Sequence, residues 1–325
     1  MNDLNYQAIL AAHERIQSKI LRTPLDPSFA LPREDGHRYF FKLECYQTAR
    51  SFKIRGALNK MMLLSEAERT CGVATISSGN HGASVSYAAH LLGISPALVI
   101  VPETTPESKI QKIEFFGANV LKIGQNYDEA HAQGMRYIQE NHVTYIDPYY
   151  KDPAIYAGQG TIGLEILQQN PEIDTIVVPI GGGGLITGIA TAAKAIRSDI
   201  RMIGVQTEAC PAMARALEDH VFYEDFPSSA SLCDALIGGI GKRAYDMASQ
   251  CIDDVLTVSE NSIRYATAFL LQKEKIMAEP SSATVVAAIQ QYPERIGGKT
   301  IAAVISGGNI SEHLLYEILC ENRLF

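Results

Sequence analysis

Apolar residues in this chain follow two periodicities that alternate along most of its length. Ile9, Leu10, Ile16 and Ile20 recur at the spacing of a helix that buries one face. Tyr39 to Leu43 then reads as a strand, and a helix is expected from about Arg55 to Glu68. Short apolar runs follow at 72–76, 97–101 and 118–123. Each leads into a helical pattern: through His90, from Glu107 to Phe116, and through Glu140. A second block repeats the scheme, with a helix over 154–169, a strand over 174–180, four glycines, and a helix from Leu185 to Ile196. Further strands are expected at 201–206, 254–258 and 300–306. Runs this short and β-branched, with little polar alternation, suit parallel strands covered on both faces. The alternation predicts a doubly wound α/β fold. No Gly/Ser-rich linker interrupts it, so the loop DPYYKDP (147–153) is the expected crossing between blocks. Two α/β blocks predict a ligand cleft between lobes.

Composition narrows the class of partner. A chain of 325 residues, 46% hydrophobic and 20% charged, is ordinary for a soluble globular protein. A formal net charge of -8 argues against a nucleic-acid partner, because phosphate binding favours a basic surface. The N-terminus lacks the basic start and apolar run of a signal peptide, and no apolar stretch is long enough to span a membrane. Six scattered cysteines without a CxxC pair read as reduced thiols, so a cytosolic or matrix-like compartment is expected, with the cytoplasm as the assignment.

Five segments carry candidate chemistry. Gly181, Gly182, Gly183 and Gly184 follow a strand and open a helix at Leu185. Successive glycines let backbone N–H groups wrap an anion, and a helix N-terminus adds partial positive charge. Neither the Lys-Ser/Thr of a P-loop nor the spacing of a dinucleotide fingerprint is present, although Glu208 lies about where a ribose-binding acid would fall. A lone phosphate monoester fits the loop better. In Ser51-Phe52-Lys53-Ile54-Arg55-Gly56-Ala57, apolar residues flank the lysine. An amine in such a pocket loses charge and serves as nucleophile and base; the plain alternative is a solvated lysine at a helix start. Ser77-Ser78-Gly79-Asn80-His81-Gly82 follows a strand and precedes a helix, so it reads as a carboxylate loop or as a simple N-cap. Ser306-Gly307-Gly308-Asn309 and Glu279-Pro280-Ser281-Ser282-Ala283 are each a site loop or a helix start.

Taken together and in order, these segments resemble the serine/threonine dehydratase family of fold-type II pyridoxal 5′-phosphate (PLP) enzymes, which includes serine racemase. The resemblance runs from RTPL (22–25) through SGGN (306–309) and includes AGQGTIGLEI (157–166). It implies two open, twisted, mostly parallel sheets with helices on both faces and the active site between lobes. Residues 1–72 and 149–325 would form a large PLP-binding domain, and 73–148 a small inserted domain. By this resemblance Lys53 binds PLP as a Schiff base with Phe52 beside it, and Gly181 to Gly184 with Leu185 hold the phosphate. Asn80 would meet the cofactor's 3-oxygen, Ser306 the pyridine nitrogen, and Glu279 the ring. Ser77, Ser78, Gly79, Asn80 and His81 would take the substrate carboxylate, with Ser78 a catalytic group on the face opposite Lys53. The implied reaction is loss of a β-hydroxyl from a small hydroxyamino acid such as L-threonine or L-serine, giving a 2-oxo acid and ammonia. Ser306 is neutral, which weakens the cofactor as an electron sink and favours prompt elimination. A homodimer or higher homo-oligomer is expected.

The chain departs from the family pattern in three places. Arg50 stands before Ser51, where small residues are usual. Gln206, Cys210 and Ala212 occupy the region where metal-binding members carry acids, so no metal site is expected. Gly238-Gly239 resembles dehydratases of less common hydroxyamino acids, such as 3-hydroxyaspartate, phenylserine or hydroxyectoine-pathway types. An amino-acid racemase on the same scaffold is the second reading. A non-catalytic dinucleotide-binding protein is the third.

Overall fold

The computed structural model describes residues 4–32, 36–148 and 152–322. The expected crossing loop at 147–153 lies in part outside the described residues. The architecture is α/β, built on two sheets. The larger runs in the order β1 (Leu25–Pro27), β2 (Arg38–Leu43), β10 (Thr300–Ile305), β7 (Thr175–Pro179), β8 (Arg201–Thr207), β9 (Asp254–Val258). All its pairings are parallel except β1 with β2. The smaller sheet, wholly parallel, runs β5 (Asn119–Lys122), β4 (Ala97–Val101), β3 (Val73–Ile76), β6 (Thr144–Tyr145). Strand β10 inserts between β2 and β7 and is buried along its whole length, so the segment after it emerges at the centre of the large sheet. Such a point, beyond the C-terminal ends of parallel strands, is where α/β sheets bind ligands.

The single helix expected from Arg55 to Glu68 is two, Lys53–Met62 and Glu66–Thr70. Ser65 restarts the second: its hydroxyl accepts from the Glu68 N–H while Glu68 accepts from the Ser65 N–H, a capping box. Strands β1 and β6, three and two residues long, are too short to show a periodicity.

Helix Pro153–Gln169 is buried on every side from Ile155 to Leu167. It lies between helix Lys53–Met62 and helix Gly184–Ile196 and connects the lysine segment to the glycine loop. Glycines permit both crossings. A Cβ on Gly158 would stand 2.4 Å from the Arg55 carbonyl oxygen, and one on Gly188 2.5 Å from that of Tyr156. Ile54, Ala57, Leu58 and Met61 of the lysine helix share an apolar cluster with Val73, Val85 and Val99 of the small-sheet region. Among the described residues no helix is long and apolar enough to cross a membrane.

Candidate active site

Lys53 opens its helix where the chain is stitched to the segment after β10. Ser51 pairs with Gly307 in an isolated antiparallel bridge. The Phe52 N–H donates to the Ser306 carbonyl at 2.9 Å, and the Gly308 N–H to that of Arg50 at 2.9 Å. Between these contacts Arg50 is held left-handed (φ 58), which costs a non-glycine residue roughly 1 kcal/mol. The Lys53 amine lies 5.4 Å from the Phe52 ring centroid and 3.4 Å from the Pro148 carbonyl oxygen. Burial pulls its pKa down to about 8, with Asp147 and Glu279 opposing the shift. At pH 7 about a tenth of such an amine is neutral, far more than of an ordinary lysine, and the neutral form is what a base or nucleophile needs.

After β3, Ser77 to Asn80 are half-buried, and helix Asn80–Leu92 begins without a side-chain cap, so the plain N-cap reading of this loop fails. A Cβ on Gly82 would lie 2.1 Å from the Ser77 carbonyl oxygen, so the tight turn requires glycine. His81 is buried beneath the loop with Nε2 3.2 Å from the Ile146 carbonyl. Burial and the nearby Lys53 charge push its pKa down to about 3, so the ring is neutral.

Glu279, at the head of helix Pro280–Gln291, joins this loop to the segment after β10. Its carboxylate accepts from Asn80 Nδ2 at 2.8 Å and from the Asn309 N–H at 3.0 Å. Burial and Asp234 raise its pKa to about 7. A Cβ on Gly307 would stand 2.7 Å from this carboxylate. Ser306 Oγ, buried, lies 3.0 Å from Ser282 Oγ. The segment 306–309 is therefore not a helix cap; Ser311 caps the helix that follows.

The glycine loop turns from β7 into helix Gly184–Ile196 through Gly183 (φ 87). The first-turn N–H groups of Gly184, Leu185 and Ile186 have no intrahelical acceptor and remain for an anion. Side chains are excluded on three sides. A Cβ on Gly181 would meet the Ala235 carbonyl at 3.0 Å, one on Gly183 the Ala244 Cβ at 2.5 Å, and one on Gly184 the unpartnered Gln159 Oε1 at 2.9 Å.

Three features around the site have no role assigned to them by the sequence. Lys112, on helix Glu107–Phe115, donates to Asn309 Oδ1, and burial pulls its pKa down to about 8. Arg55 sits in a fully buried ionic network with Glu44, Glu165 and Lys42. Gly238 (φ 108) and Gly239 shape the segment covering the glycine loop: a Cβ on Gly239 would lie 1.7 Å from the Glu224 carbonyl. Arg55 left a signal, as a guanidinium amid apolar neighbours, and so did the Gly238-Gly239 pair, which stands out as a departure from the family pattern; Lys112 left none.

A profile described as pyridoxal-phosphate dependent enzyme matches residues 16–307. The chain belongs to the pyridoxal-phosphate dependent enzyme family. It is 37% identical over 317 residues to an L-threonine ammonia-lyase of Thermotoga maritima, covering 97% of this chain and 78% of that protein. Its fold matches that of maize serine racemase with a TM-score of 0.89 at 32% identity, over 98% of this chain and 97% of the other. It matches a threonine deaminase from T.th. with a TM-score of 0.87 at 34% identity, over 94% and 99%. The fold is therefore that of the fold-type II members, and the chain is a PLP-dependent lyase.

The residues present fit the family's cofactor. A loop packed too closely at Gly181, Gly183 and Gly184 for easy replacement by a larger residue, with helix-start N–H groups that lack an intrahelical acceptor, suits its phosphate. A desolvated amine suits its aldehyde, and a buried hydroxyl beyond β10 can face its ring nitrogen. In the region where metal-binding members carry acids, the donors do not suit a hard cation. Gln206 Oε1 already accepts from the Met213 and Ala214 N–H groups at 2.9 and 3.0 Å, and Cys210 faces Gly238.

Proposed function

We propose that this chain eliminates the β-hydroxyl of a small hydroxyamino acid, L-threonine or L-serine, to yield a 2-oxo acid and ammonia. The observation that carries the reading is the convergence of the lysine, carboxylate-loop and post-β10 segments around one desolvated amine. The relatives named for threonine deamination support the substrate class. PLP, when bound, supplies an electron sink for the substrate's Cα. Lys53 would hold the cofactor and then, with its amine released, take the Cα proton. Phe52 and Leu185 would flank the cofactor, and Gly181 to Gly184 would bind its phosphate. Asn80 would donate to the 3-oxygen, Glu279 would border the ring, and Ser306 would meet the ring nitrogen. Ser77, Ser78 and Gly79 would hold the substrate carboxylate, with Asn80 and the neutral His81 fixing the loop, and Ser78 would face the substrate opposite Lys53.

The two sheets support a division into 1–72 with 149–325 and an inserted 73–148. Six free cysteines, four of them buried, support a reducing compartment, which we assign as the cytoplasm. Self-association as a homodimer or larger assembly belongs to the same reading. The test is borohydride reduction of the coloured holoenzyme, followed by peptide mass mapping and a substrate panel scored for 2-oxo acid. The label is expected on Lys53, with 2-oxo acid from L-threonine or L-serine, and Lys53→Ala is expected to fold without turnover. Labelling elsewhere, or full activity of Lys53→Ala, overturns the proposal.

A further inference from the structure

Besides Tyr156, helix Pro153–Gln169 buries three polar side chains among its apolar and small ones: Gln159, Thr161 and Glu165. Thr161 and Glu165 both accept from Arg55. Gln159 is 1% exposed, and its Oε1 has no hydrogen-bond partner among the described residues. Buried amides are nearly always hydrogen-bonded, so an orphan this deep needs a reason. Its position supplies one. Oε1 stands 2.9 Å from where a Cβ on Gly184 would be, and Gly184 opens the helix whose first N–H groups lack intrahelical acceptors. Among the atoms that a Cβ on Gly181, Gly183 or Gly184 would meet, Gln159 Oε1 is the one polar side-chain atom; the rest are backbone atoms and carbons. Gly183 has a positive φ, but Gly184 does not. Glycine at 184 therefore makes room instead of a turn, and the amide of Gln159 reaches into that room.

We propose that Gln159 is a ligand to the cofactor's phosphate, donating a hydrogen bond from Nε2 alongside the backbone N–H groups of the glycine loop. The inference rests on the proposed function, which puts the phosphate at Gly181 to Gly184. A phosphate monoester carries roughly 1.5 to 2 negative charges at pH 7, so a bare amide oxygen would repel it. The two ends of an amide are alike in shape, and the last torsion of glutamine is soft. No partner holds Oε1 where it is, so half a turn about that torsion exchanges oxygen for nitrogen with no demand for space. The donor so presented is neutral, and the helix start meets the phosphate's charge. A hydrogen bond to an ionised acceptor is about twice as strong as a neutral one. Gln159 thus strengthens binding of the phosphate and leaves the aldehyde's encounter with Lys53 untouched.

The experiment titrates full-chain apoenzyme with PLP and, separately, with pyridoxal, which has the same aldehyde and ring but no phosphate. Absorbance of the coloured Lys53-linked species reports binding in the native protein and in Gln159→Leu, whose side chain is apolar and close in size. Losing one hydrogen bond to an ionised acceptor should weaken PLP about tenfold to a hundredfold and leave pyridoxal within about twofold of the native value. Gln159→Met is expected to give the same split, and it carries the comparison if leucine does not yield folded apoenzyme by circular dichroism. An unchanged PLP affinity overturns the proposal. So does an equal loss for PLP and pyridoxal, which would make Gln159 a packing residue only. Failure of the native protein to form a Lys53-linked species with either compound would instead overturn the proposed function, so the two failures are distinguishable.

Discussion

The ionic network behind the lysine helix makes a quantitative claim. Glu165 receives Arg55 Nη1 at 2.7 Å, Arg55 Nη2 at 2.8 Å and Lys42 Nζ at 2.6 Å. Glu44 takes the other edge of the same guanidinium, through Nε and Nη2, both at 2.8 Å. Burial opposes ionisation of Glu165, but Arg55 and Lys42 hold its carboxyl below the usual value. Burial likewise pulls the Lys42 ammonium down, against the pull of Glu165 and Glu44. Two cations and two carboxylates balance with no exposed member. Glu165→Gln keeps the shape and leaves two buried cations facing one carboxylate. Breaking one partner of a buried pair costs about 3–5 kcal/mol, since the survivor is stranded in low dielectric. Urea unfolding of the apoenzyme at neutral pH measures this as a lowered midpoint at unchanged slope. Lys42→Met combined with Glu165→Gln restores the balance and should recover at least half of the loss, because sites in one network are not additive. The reasoning is refuted if Glu165→Gln costs less than about 1 kcal/mol, or if the double variant loses the sum of the two singles.

Glu279, raised to about 7, is protonated in the fold and ionised in the unfolded chain between 4.5 and 7. Its stabilisation is therefore complete below 4.5 and is lost as pH rises through 7, by up to about 3 kcal/mol. Glu279→Gln should flatten that decline in apoenzyme unfolding curves, and a parallel decline in both proteins would refute the shift. Chelators should leave the native unfolding midpoint unchanged, whereas Gln206→Glu sets an acceptor against the Ile180 carbonyl that Gln206 now donates to, and should cost about 1–3 kcal/mol; a reversible loss of native stability on chelation would show a bound cation instead. Ser78→Ala should suppress D-product formation from an L-substrate more than 2-oxo acid release, measured side by side, and equal loss of both would remove Ser78 from the second face.

What the sequence discloses depends on how far apart the interacting residues lie. Strands β7 and β10 are continuous apolar runs, so pattern alone reveals them, and the loops after β3, β7 and β10 announce themselves through glycine. The break after Met62 was also written in the chain, as Ser65 and Glu68 three apart, but the apolar periodicity running across it masked the signal. Partner choice is another matter. Lys42 and Glu165 are 123 residues apart, and Lys112 and Asn309 are 197 apart. Nothing local distinguishes them from solvated charges. The role of Ser306 to Asn309 is equally non-local: β10 places that segment against the lysine strap, and Ser311 caps the helix that follows.

The lysine motif then reads as an anchor with two faces. An α-helix turns about 100° per residue, so Arg55 points roughly 200° away from Lys53. One face carries the amine toward Phe52 and Pro148; the other drives a guanidinium into the network. The two faces use opposite electrostatics. On the Arg55 side charges are paired and locked, whereas around Lys53 burial outweighs Asp147 and Glu279, so the amine loses its proton readily. A protein that must fix the position of a helix without fixing the charge of its first residue needs its strong ionic contacts on the far side. Glu165→Gln should consequently lower stability in apoenzyme and holoenzyme alike while leaving the lowered titration of Lys53 in place. Reaction of the Lys53 amine with an acylating reagent across pH reads that titration directly, and a midpoint displaced toward the ordinary lysine value in Glu165→Gln would show that the two faces are not independent.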